Sequence, residues 1–253
     1  MLGKLIKYEF KATARILTPL YIALLAFALI NKLFMGGNNN IDSEFLGGIP
    51  MLISIFAYGC TMAAVFIITF FVIVQRFYKN LLGDEGYLMN TLPVKAWMNI
   101  SSKLIVSIIW SMVSGIVAIL SILIMAYSPG MFSDISSRIA EFITYLPEGY
   151  YGFTIELIIY GFISMISSTL MIYLSISIGH LFNKRRILAS FGAFIVLNMI
   201  TSGIKGVVQG GITMVNDFSA MPSLKGVFVL DILLGIVFFI GCNYIIKNKL
   251  NLE

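Results

Sequence analysis

Residues 104–127 read LIVSIIWSMVSGIVAILSILIMAY, without one charged side chain. A helix needs about 20 mostly apolar residues to cross the hydrocarbon of a bilayer. Stretches of the same kind occupy 16–35, 51–74, 155–181, 187–204 and 227–246. The intervening pieces hold most of the Lys, Arg, Asp and Glu. Of the 253 residues 59% are hydrophobic and 11% charged, and mean hydropathy is +0.95. Soluble domains carry roughly 25% charged residues. In lipid the backbone must satisfy its own hydrogen bonds, which leaves helices as the structure for such apolar runs. The expected fold is all-α: a polytopic membrane protein with six transmembrane helices in one domain, 1–253.

Lys and Arg set the expected orientation, because they concentrate on the cytoplasmic side. One side collects Lys4, Lys7, Lys11 and Arg15, then Arg76, Lys79, Lys95 and Lys103, then Lys184, Arg185 and Arg186, and finally Lys247 and Lys249. The other has only Lys32, Arg138, Lys205 and Lys225, among several acids. Both termini are therefore expected in the cytoplasm. The net charge of +5 is an orientation signal and calls for no nucleic-acid partner. Lys184, Arg185 and Arg186 read as a headgroup anchor. Residues 1–15 carry Lys4, Lys7, Lys11 and Arg15 at helical spacing and read as an interfacial helix on the inner surface. No cleavage pattern ends the first apolar run, which reads as a retained signal anchor. Pro19 is expected to kink or open it.

Chemistry-bearing motifs are missing. The sequence has no Walker lysine, HExxH, GxSxG or CxxC motif. One histidine, His180, is too few for a multi-histidine metal centre within the chain. Cys60 and Cys242 lie in apolar runs and read as small core residues facing other helices. No enzyme activity and no cofactor are expected on this chain. Span three carries Ser107, Ser111 and Ser114, and span four carries Ser164, Ser168 and Ser175, at spacings that line one helix face. Such stripes read either as close helix packing or as a weakly polar translocation wall. Asp231, about a turn inside span six, reads either as an interfacial residue or as a functional carboxylate. Residues 128–154 read as an extracytoplasmic loop with an amphipathic helix. Gly203, Gly206, Gly210 and Gly211 read as a helix break, leading into a flexible connection or a re-entrant loop.

The insert 76–103, RFYKNLLGDEGYLMNTLPVKAWMNISSK, is longer than a plain turn between helices requires. Gly83 and Gly86 bracket Asp84 and Glu85, and Tyr87 and Leu88 add an apolar patch. An acidic and apolar knuckle of this kind suits a groove in a soluble partner.

The amino-terminal GKLIKYEFKATARILTPLY, the RFYKNLLGDEGYLMNTLPV insert, the LFNKRR turn and the ending KNKLNLE together resemble a permease subunit of the type-2 ABC exporter family, in its bacterial six-span form. The resemblance covers essentially the whole chain. It implies a multi-pass protein of the bacterial cytoplasmic membrane that pairs with a second permease, identical or related. It also implies two copies of a cytoplasmic ATPase, which hold the ATP and magnesium. It gives Gly83, Asp84, Glu85, Gly86, Tyr87 and Leu88 the role of a coupling helix, and makes the basic amino-terminal segment an elbow helix. The sparse charge within the spans implies an amphipathic or hydrophobic substrate, such as a peptide, an antimicrobial or a lipid-like molecule. The alternative is a non-transporting anchor, an immunity or regulatory protein that binds an ATPase or another membrane chain.

Overall fold

The computed structural model describes residues 2–36, 44–82, 94–127, 150–182, 185–215 and 225–249, together with 136–138, 141 and 144. Among them the chain is all helix. Six long helices run in order: α1 (Leu2–Gly36), α2 (Glu44–Phe77), α3 (Ala96–Ala126), α4 (Tyr150–Gly179), α5 (Arg186–Val215) and α6 (Lys225–Asn248). A short π-helical turn, Tyr78–Leu82, follows α2 directly. All six contain windows long and apolar enough to cross a membrane, so the chain is a multi-pass membrane protein.

The helices outrun the apolar runs that announce them. α1 has 35 residues, about 50 Å at 1.5 Å per residue, against roughly 30 Å of hydrocarbon. It continues through Pro19, whose missing N–H removes one backbone bond without ending the helix. A separate interfacial helix over 1–15 is thus replaced by the first turns of one continuous helix. The glycines at 203, 206, 210 and 211 likewise do not break α5, which runs on to Val215. Glycine costs about 1 kcal/mol per residue in a helix, but in lipid an open backbone costs several times that. The expected amphipathic helix after α3 falls mostly outside the described residues. Ser136, Ser137, Arg138, Glu141 and Thr144 are helical and exposed.

The chain divides into two compact units. One comprises residues 6–73 and 109–146. Several of its described polar groups are paired within the apolar helices. Tyr58 and Ser121 share a hydrogen bond of 2.7 Å. Asn31, 1% exposed, donates Nδ2 to the Phe27 carbonyl at 3.0 Å and accepts from Ser54 through Oδ1. Near the end of α1, Lys32 Nζ donates to the Tyr127 carbonyl at 2.9 Å and sits 4.1 Å from that ring's centre. Phe10 stacks on Trp110 with ring centres 4.8 Å apart. Cys60 is exposed, which corrects its reading as a core residue; among the described residues no neighbour covers it.

The other unit comprises residues 1–5, 74–108 and 147–253. Here α4 and α6 run parallel. Going along both chains in the same direction, Glu156 meets Lys225, Ser167 meets Gly235, Leu174 meets Gly241 and Ser177 meets Cys242. A β-carbon on Gly235 would lie 3.9 Å from Ser167, and one on Gly241 would lie 3.2 Å from Leu174 Cδ1. Small residues here let two backbones approach, the usual means of helix association in lipid. α5 turns back from α4 through a tight connection in which Arg185 has φ 62°, a left-handed conformation that costs a non-glycine residue about 1–2 kcal/mol.

Candidate functional site

The coupling residues Gly83, Asp84, Glu85, Gly86, Tyr87 and Leu88 lie outside the described residues, as does Lys184. The two ends from which the insert emerges are described, and both are built into the core of their unit. Of the 76–103 stretch, Arg76–Leu82 extends α2 and its π-turn, while 96–103 is the start of α3. The segment between regular helices is therefore shorter than the sequence suggests. π-Turns are rare and gather at functional positions. This one buries Leu81 and Leu82.

Beneath the insert an aromatic and polar cluster joins α2, α3 and α4. Phe77, fully buried, stacks on fully buried Tyr173 with ring centres 4.0 Å apart and planes 7° from parallel. The Tyr173 hydroxyl shares a 2.6 Å hydrogen bond with Ser107 Oγ, which also donates to the Lys103 carbonyl at 2.7 Å. Asn99, Ser102, Lys103 and Ser107 are all buried along one face of α3. A lysine in such surroundings needs partners, and Lys103 has them. Sequence reading puts Lys103 in a cytoplasmic loop; the helix starts seven residues earlier and carries it inside. Tyr78 lies 5.7 Å, ring to ring, from His180. Burial, aided by the charge of Arg186, pushes the His180 imidazole below its usual pKa. Its Nε2 has no hydrogen-bond partner among the described residues. Both ends of the insert are thus joined to α4, through the Phe77–Tyr173 stack and the Ser107–Tyr173 hydrogen bond.

The serine stripes are packed only in part. Ser107 and Ser114 are buried, and Ser114 Oγ donates to the Ser111 carbonyl at 2.9 Å. Ser175 is buried and donates to the Met171 carbonyl at 2.6 Å. Ser164 is half-buried, and Ser168 is exposed, bonding the Met165 carbonyl at 3.0 Å. The face of α4 that meets α6 carries Ser167, Leu170, Leu174 and Ser177 instead. α4 has small residues on more than one side, so spacing alone does not choose the packed one. Lys4, Lys7, Lys11, Arg15 and Arg185 are exposed, and Arg186 is half-buried.

Asp231 is buried within its unit and paired. It is 1% exposed, and its carboxylate lies 2.6 Å from Lys205 Nζ on α5, which is 29% exposed. Beyond that ion pair the carboxylate has no hydrogen-bond donor among the described residues. Sequence reading ended span five at residue 204, one short of this lysine. The signal that could have found the pair is the coincidence of one acid and one base at the facing ends of consecutive apolar runs.

Among the described residues no cluster of three or more His, Cys, Asp or Glu could hold a metal ion. Compared with protein-family models, with curated proteins and with solved structures, the chain matches none.

Proposed function

We propose that the chain is the membrane-spanning permease subunit of an ATP-driven exporter, and that a separate ATPase drives it through the segment between α2 and α3. The observation that carries this reading is the anchorage of that segment. Its two ends are seated in a buried cluster, with Phe77 stacked on Tyr173 at 4.0 Å and Ser107 bonded to Tyr173 at 2.6 Å. A solvated connection needs no such foundation; a lever does. Asp84, Glu85, Tyr87 and Leu88 then form the acidic and apolar contact for the ATPase.

With six crossings, this segment lies on the same side as both termini and the α4–α5 turn, the side richest in Lys and Arg, which makes it cytoplasmic. Most charge-free surface of the six helices faces lipid, which favours an amphipathic or apolar cargo. α5 leaves an apolar face uncovered within the chain, as a subunit that pairs with a second permease would. The chain itself performs no chemistry; nucleotide hydrolysis belongs to the partner.

Co-expression with a P-loop protein encoded in a neighbouring reading frame tests the assignment. The two are expected to copurify from membranes. Asp84→Lys/Glu85→Lys and Tyr87→Ser/Leu88→Ser are each expected to release the ATPase while the permease still inserts. Copurification unchanged in both variants would remove the coupling role from this segment.

A further inference from the structure

The starts of α4 and α6 enclose a cavity of about 150 Å³ lined by Glu156, Ile159, Lys225 and Phe228. Its wall is almost wholly carbon. The cleft is half open, and its apolar wall suits an apolar group. At its mouth stand two opposite charges. Lys225 Nζ is 3.9 Å from Glu156 Oε1, and the side chains are 80% and 37% exposed. That separation is longer than a hydrogen bond, and Lys225 has a further partner besides. Asp231 lies six residues further along α6, roughly 9 Å deeper, and is already bound to Lys205. The mouth charges are thus distinct from the buried pair.

We propose that this cleft binds an aminophospholipid of the surrounding bilayer, with its ammonium on Glu156, its phosphate on Lys225 and the start of an acyl chain over Ile159 and Phe228. The occupant follows from charge complementarity. A phosphate and an ammonium linked by two carbons match a cation and an anion placed side by side over an apolar slot. Lys225 is also the first residue of α6, where the helix dipole favours an anion. An anionic lipid without an amine would meet Glu156 as a repulsive neighbour. A trimethylated headgroup offers Glu156 no N–H to donate. The apolar wall itself confers no preference, because lipid tails are as apolar as the helices they touch. Selectivity therefore resides in the two charges. The inference does not depend on the exporter reading and is tested without an ATPase.

The test uses the full chain purified in detergent and offered equal amounts of phosphatidylethanolamine, phosphatidylcholine and phosphatidylglycerol with identical tails, the bound lipid being counted by native mass spectrometry. Phosphatidylethanolamine is expected to be retained roughly three- to fivefold over the other two, the scale of partly exposed charge pairs. Glu156→Gln should reduce it to the level of phosphatidylcholine. Lys225→Gln should weaken both. Ile159→Trp, which fills the slot, should lower all three. Equal retention of the three lipids by the unaltered chain overturns the proposal without reference to any variant, and so does a preference that survives both Glu156→Gln and Lys225→Gln.

Discussion

Along α6, Gly235 and Gly241 are gaps that Ser167, Leu170 and Leu174 of α4 fill. Along α5, Gly203, Gly206, Gly210 and Gly211 have no neighbouring group among the described residues within 4 Å of where a β-carbon would stand. The same residue type serves close approach in one helix and no contact in the other. Burial agrees: 6% of the α5 apolar window is buried, against 22–28% in the other five helices. α5 nonetheless packs along α4 over much of its length and touches α6 far less. Near its start, a β-carbon on Gly179 of α4 would come within 2.4 Å of the Ser190 backbone nitrogen. Midway, Thr201 reaches Met171 Sδ at 3.9 Å, and further on Lys205 reaches Asp231. In lipid, where there is no hydrophobic gain from covering an apolar face, a helix packed on one neighbour by one side can leave the rest of its apolar surface uncovered by the described residues.

Variants at these points separate the two modes of attachment. Gly179→Ala has the largest expected effect. Its methyl meets backbone, which cannot swing aside, so the α4–α5 hairpin must open at a cost of about 3 kcal/mol, read as a lowered thermal midpoint in detergent. By contrast, Gly235→Ala meets only contacts of 3.9 Å and should be nearly neutral by the same assay. Next comes the ion pair. Lys205→Ala strands a buried carboxylate and is expected to cost about 2–3 kcal/mol. Asp231→Asn should cost less, about 1 kcal/mol, because Lys205 is partly exposed and its long stem lets the ammonium reach toward water. Equal losses from the two variants would mean that both charges are equally buried, against the 29% and 1% exposures.

A smaller effect is expected from pH. His180 has a folded pKa below its unfolded value, so the folded state holds it neutral. Its contribution is fully present above the unfolded pKa of about 6.5. It is lost as pH falls below that value and through the folded pKa, because there the unfolded chain binds the proton first. The thermal midpoint should thus fall between pH 7 and pH 5, and His180→Asn should flatten that slope. The smallest effect, and of opposite sign, belongs to α5. Gly210→Ala should stabilise by about 0.5–1 kcal/mol, the ordinary helix gain, since nothing stands where the methyl goes. A loss there instead would show that a partner already occupies that face.

These contrasts mark what the amino-acid sequence makes legible. Six apolar runs announce six helices, because about 20 mostly apolar residues in a row have few other solutions. The helix ends are less legible, since a helix started in lipid continues into water while its side chains allow it. Residues 2–15 and 96–103 are both helical for that reason, and Lys103 is buried where a loop is expected. The glycines of α5 mislead because their helix cost, decisive in water, is outweighed in lipid by the need to bond the backbone. Neither the Lys205–Asp231 pair nor the stack of Phe77 on Tyr173 is local, and no spacing rule reaches across so many residues. The GDEGYL motif, for its part, is conspicuous in sequence but lies outside the described residues, and its role as a partner contact is a proposal.

The central claim is that the segment between α2 and α3 transmits an ATPase cycle to the buried cluster beneath it. Its most direct measurement is cargo-stimulated ATP hydrolysis by the reconstituted complex in liposomes, comparing the unaltered chain with Tyr173→Ala, which removes the stack on Phe77 and the bond to Ser107 but leaves the Asp84–Leu88 contact in place. The account predicts that the ATPase still binds and hydrolyses ATP at its basal rate while stimulation is lost. Full stimulation in Tyr173→Ala would contradict it.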